Sequence, residues 1–97
     1  MADEKQRLKH NDDGSVTVAL RHALNVDGTE MAALTLRRPK VRDIKASNRE
    51  GGDNTEISCR MIGHLAELTP EQVDDLDAGD FMQLSKVIGD FLWPAEG

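Results

Sequence analysis

The side chains able to do chemistry in this 97-residue chain are few and scattered: one cysteine, Cys59, and three histidines, His10, His22 and His64. A zinc site needs such ligands at close, regular spacing, and neither a His-x-x-x-His pattern nor a cysteine pair is present. The histidines therefore read as surface or packing residues. Cys59 lies among Ile57, Met61 and Ile62, a setting for a packed thiol rather than a nucleophile. A single cysteine also excludes an intrachain disulfide framework and fits a reducing compartment. Ser15, Ser47, Ser58 and Ser85 lack the glycine context of a nucleophile elbow, and the glycines form no phosphate-cradling loop. No reaction centre, metal site or cofactor site is legible, and a small hydrolase or transferase would have to assemble its site invisibly across the fold.

Charge is the stronger signal. Residues 37–49 hold six of the twelve basic residues and one acid, whereas residues 67–80 hold six acids and no base. Arg37, Arg38, Lys40 and Arg42 could contact an acidic protein partner or a nucleic acid, and a small nucleic-acid-binding regulator using residues 37–49 is the alternative reading of function. The formal charge of -6 opposes nucleic acid or an anionic membrane as the default partner. The plainer expectation is that the two segments face each other inside the fold or are solvated.

The elements that must position these residues follow from periodicity and punctuation. Residues 1–14 are polar and contain one large aliphatic side chain, so they are expected to form a loose, disordered tail ahead of a domain at 15–97. Val16, Val18 and Leu20 alternate with Thr17, Ala19 and Arg21, a half-buried strand, and Leu34 and Leu36 belong to its return partner. A two-residue Asp27-Gly28 loop would pair Leu20 with Thr35. A three-residue loop, Val26-Asp27-Gly28, pairs Leu20 with Leu34 and Val18 with Leu36, and is expected instead, with Gly28 at positive φ. Pro39 can open a short helix as its first residue, before a polar connection around Gly51 and Gly52.

Helical punctuation follows. Asp53 and Glu56 stand at capping-box spacing ahead of Ile57, Met61, Leu65 and Leu68, which predicts a helix near 54–67. Thr69, Pro70 and Gln72 form a second start, and Asp77 can cap a third helix whose stripe is Phe81, Leu84, Ile88 and Phe91. The aromatics Phe81, Phe91 and Trp93 are expected to carry much of the large-side-chain packing. Met82, Val87 and Trp93 fall off the stripe and are the candidates for a partner-binding surface, with Trp93 as anchor. The expected architecture is a small α+β single domain, an N-terminal β-hairpin followed by three helices. No apolar run is long enough to span a membrane, and the first ten residues lack the apolar region of a signal peptide.

Taken in order, Leu36-Arg37-Arg38-Pro39-Lys40-Val41-Arg42-Asp43-Ile44, Leu76-Asp77-Ala78-Gly79-Asp80-Phe81 and Val87-Ile88-Gly89-Asp90-Phe91-Leu92 resemble the E-type tail assembly chaperones of contractile-tailed phages and prophages. The resemblance covers about residues 15–92. It implies a protein without enzyme activity that binds the tape measure protein, keeps it soluble and supports tail tube assembly. It further implies contact with the tail tube protein, residence in the bacterial host cytoplasm and absence from the mature virion. Such families are often made in two lengths by programmed frameshifting. A homo-oligomer is an added expectation, because so small a core gains from burial at an interface.

Overall fold

Alternation of Val16, Val18 and Leu20 gives a strand with one apolar face, and the computed structural model, which describes residues 7–93, places that strand at the centre of an antiparallel sheet. The sheet runs β1 (Leu8–His10), β2 (Val16–Val26), β3 (Thr29–Leu36) in that order. Four helices follow: α1 (Val41–Arg49), α2 (Asn54–Ala66), α3 (Pro70–Asp74) and α4 (Ala78–Leu92). The protein is thus α+β, with three strands among the described residues where a hairpin was expected and four helices among them where three were.

The added strand corrects the expectation of a loose segment over 1–14; residues 1–6 lie outside the described residues. Leu8 pairs with Val18 and His10 with Val16. The turn back into β2 is held by the Gly14 N–H donating to the Asn11 carbonyl at 3.0 Å and by the Ser15 N–H and hydroxyl donating to Asp13 at 2.9 and 2.6 Å. Side-chain composition left out the decisive term, the backbone donors and acceptors that the edge of β2 offers to any neighbour.

The hairpin register also differs from expectation. Val26 pairs with Thr29 across a two-residue turn in which Asp27 and Gly28 have φ of 53° and 88°, the double left-handed conformation of a tight hairpin turn. Nearer the base, Val18 pairs with Leu34 and Val16 with Leu36, and the register shifts between Ala19 and Leu24. Neither the three-residue loop nor the Leu20–Leu34 pair forms. A bulge in β2 changes the parity of the pairing, so a two-residue turn and a shared apolar face coexist. Val16, Val18, Leu20, Leu34 and Leu36 are all buried.

The helix starts are local and follow the sequence closely. Asp53 accepts the Glu56 N–H at 2.9 Å and Glu56 returns the bond to the Asp53 N–H at 3.2 Å; Thr69 and Gln72 do the same at 3.2 and 2.9 Å. Asp77 accepts from Gly79 and Asp80 at 2.9 and 3.2 Å. Pro39 is an exception, because α1 is capped by Lys40 and the proline stands one residue outside it. The core joins the sheet face to Met61, Ile62 and Leu65 of α2, Val73 of α3, and Leu84, Val87 and Ile88 of α4. It is aliphatic: Phe81 and Phe91 are half-buried at its margin and Trp93 lies outside.

Candidate functional site

The basic segment divides into one structural cation and a group that faces water. Arg37, at the exit of β3, grips Asp43 with both guanidinium nitrogens at 2.8 and 2.7 Å, and its backbone N–H donates to the Leu65 carbonyl at 3.1 Å. Asp43 is 4% exposed and also accepts the Lys40 N–H at 2.8 Å. The Arg37 hydrogen bonds, backed by that backbone donor and opposed by burial, hold the Asp43 carboxyl down at about 2. Arg37 therefore locks β3, α1 and α2 together, and its charge is engaged chiefly by Asp43, with Glu67 of the acidic segment adding a weaker attraction.

Arg38, Lys40 and Arg42 line an open concavity of about 490 Å³ with Asp13, Ser15, Arg37 and Pro39. The stem of Arg38 passes 3.3 Å from the point where a Cβ on Gly14 would stand, so the β1–β2 turn forms one wall. On the other side of that turn, Gly14 lines a smaller hollow with Leu8, His10, Val16, Val87, Asp90 and Phe91. The cationic concavity and the end of α4 thus flank one turn.

Of the three apolar candidates on α4 and its C-terminal cap, Met82 is 65% and Trp93 80% exposed, while Val87 is 4% exposed and belongs to the core. The correction has a geometric cause. α4 packs against both β2 and α2, so its buried face is wider than a single row and takes in Val87 beside Leu84 and Ile88. Met82 and Trp93 are separated by about three helical turns and fall on the outward side.

His10, His22 and His64 lie on β1, β2 and α2. Among the described residues only His22 has a carboxylate within reach, Asp77 at 3.9 Å. Cys59 is partly buried; burial, with Asp74, Asp53 and Glu56 nearby, raises its thiol pKa, which suits packing rather than nucleophilic attack. It lines a groove of about 380 Å³ between α1, α2 and α3, together with Ala46, Gly63, Leu68, Pro70 and Val73. Charged side chains at the groove include Arg49, Arg60 and Asp74.

Sequence reasoning passed over Asp80. Its carboxylate is 3% exposed and accepts the N–H groups of Arg21 and His22 at 2.8 and 3.0 Å. Those donors lie in the β2 bulge, so Asp80 supplies the acceptors that the interrupted ladder does not. The Leu76-Asp77-Ala78-Gly79-Asp80 block held the signal: one aspartate caps α4 and the next secures the hairpin.

A family model described as phage tail assembly chaperone proteins, E, or 41 or 14, matches residues 17–92, most of the chain. No curated protein and no solved structure matches.

Proposed function

Because the chain belongs to the phage tail assembly chaperone family, we propose that it binds the tape measure protein, keeps that elongated helical client soluble and supports assembly of the tail tube around it. It works in the host cytoplasm, stays out of the finished virion and carries out no catalysis. Mechanism is differential binding: occupying an apolar stripe of the client lowers the concentration of aggregation-prone chain, and tube subunits displace the chaperone by competing for the same stripe.

The observation that supports this reading is the outward exposure of Met82 on α4 and of Trp93 at its C-terminal cap. Large apolar groups facing water on the side of a helix away from its core face are suited to an amphipathic partner, and a tryptophan commonly dominates such an interface. Coexpression with the tape measure protein of the same phage or prophage is expected to retain that client in the soluble fraction. Trp93→Ala is expected to weaken that retention by an interaction on the order of 2 kcal/mol. Its own unfolding midpoint should stay unchanged, because the ring contributes little to the core. Undiminished retention would remove Trp93 from the interface; failure of the wild-type protein to retain any client would sink the assignment.

A further inference from the structure

With Arg37 committed to Asp43, Arg38, Lys40 and Arg42 are the cations left on the concavity where β3 passes into α1. All three are exposed, and among the described residues their side chains make no hydrogen bond or ion pair. Arg42 helps to hold the Asp43 carboxyl down from a distance, without pairing with it. Asp13, the acid in the lining, is turned to Ser15, whose N–H and hydroxyl it accepts at 2.9 and 2.6 Å. Like charges gathered around one hollow of about 490 Å³ repel one another, and a bound anion relieves that repulsion.

The chemistry beside the cations favours an acidic protein segment over a phosphate backbone. Val41 stands between Lys40 and Arg42 at the start of α1 and is 68% exposed; Ile44, one turn on, is 37% exposed. Aliphatic groups among cations give nothing to a phosphodiester chain but pack against the apolar face of an amphipathic peptide. On the far side of the β1–β2 turn, the smaller hollow offers Leu8, Val16 and Phe91, and the same end of α4 carries Trp93. Exposed Asp90 also lines that hollow, so its charge keeps a partner's acids away from the α4 end. The turn thus separates a side that attracts carboxylates from a side that takes apolar groups and repels carboxylates.

We propose that Arg38, Lys40 and Arg42 seat an acidic stretch of the tape measure client, next to the apolar stripe that Trp93 takes. This rests on the client assignment above and gives the bound segment a composition and a direction. Its Asp and Glu side chains lie towards the start of α1, and its apolar side chains towards the end of α4. Cations open to water speed encounter and fix register more than they deepen affinity, and salt screens them. The client is therefore held by two contacts that respond differently to salt, a screened one at the concavity and an apolar one at Trp93.

The complex captured by coexpression with the tape measure protein tests this. A carbodiimide joins an amine directly to a carboxylate in contact with it, and mass spectrometry is expected to find Lys40 joined to an Asp or Glu of the client. Retention of the client should fall as salt is raised. R38Q/K40Q/R42Q should weaken retention in low salt on the order of tenfold and remove most of that fall, and R38E/K40E/R42E on the order of a hundredfold, because like charges then face each other. Circular dichroism checks that the variants are folded; the cross-link is read on the wild-type chain and decides the matter whether or not they are. A complex in which Lys40 joins no client carboxylate overturns the proposal and leaves the client assignment standing. So does retention that neither salt nor R38Q/K40Q/R42Q alters. A wild-type chain that retains no client overturns both. Duplex DNA or RNA that binds the wild-type chain at physiological salt but not R38Q/K40Q/R42Q would give the concavity to a nucleic acid, and overturns the proposal as well.

Discussion

A carboxylate as enclosed as Asp43 stays ionised only where donors replace the water it has lost, and Arg37 and the Lys40 N–H replace it. Its folded pKa of about 2 lies below the ordinary 3.8, so the stability it contributes is complete above the unfolded value and disappears as pH falls through about 2. Arg37→Ala is expected to cost about 2 kcal/mol at neutral pH, less than the roughly 3–5 kcal/mol of a fully buried pair because the guanidinium side is partly open to water. The gap between wild type and variant should close as pH falls from about 4 towards about 2, since protonation removes from the wild type what the substitution removed. Denaturant titrations at several pH values measure this; a gap constant with pH would show that the pair is not its source. The sequence drew attention to Arg37 as a cation, but its partner is separated from it by a proline and a helix start, and no short-range spacing rule joins the two. Trp93 and Met82 could be read as outward because both fall off the apolar stripe. Val87 could not be placed by the same reading, because the width of a buried helix face depends on what packs against it.

Elements whose causes are local were the most legible. Each capping box on α2 and α3 closes over three residues, so the residue types alone identify Asp53, Glu56, Thr69 and Gln72. Thr69→Ala is expected to lower stability by about 1 kcal/mol through loss of the acceptor for the Gln72 N–H, read as a shift in denaturation midpoint at unchanged slope. An unmoved midpoint would mean that Pro70 alone sets the start of α3. The hairpin was less legible. Its positive-φ glycine followed from the turn, whereas its register depended on a bulge whose stabilising acceptor sits 59 residues further along the chain. Pattern arithmetic assumes an unbroken ladder, and here it met a deliberate break.

At the scale of the molecule, the α+β class was legible because periodicity switches from two to helical spacing near residue 39, and the identity of the family was legible in blocks of ordered residues. Several of those residues hold the fold: Arg37 with Asp43, Asp77 as a cap, Asp80 on the bulge. Surfaces were harder to read, since exposure belongs to the assembled chain. The Asp80 contact also has a consequence in time. An N-terminal hairpin is made early and could close at once, but its bulge has no side-chain acceptor until α4 has been synthesised and docked. A nascent chain halted before residue 80 can pair its strands in more than one register. If docking of α4 follows the main folding barrier, Asp80→Ala should destabilise by about 2 kcal/mol and act mainly by accelerating unfolding, with refolding nearly unchanged. Stopped-flow measurements on both limbs decide it: refolding slowed in proportion to the lost stability would mean that the last helix arrives in the transition state, and that the first strands wait for it.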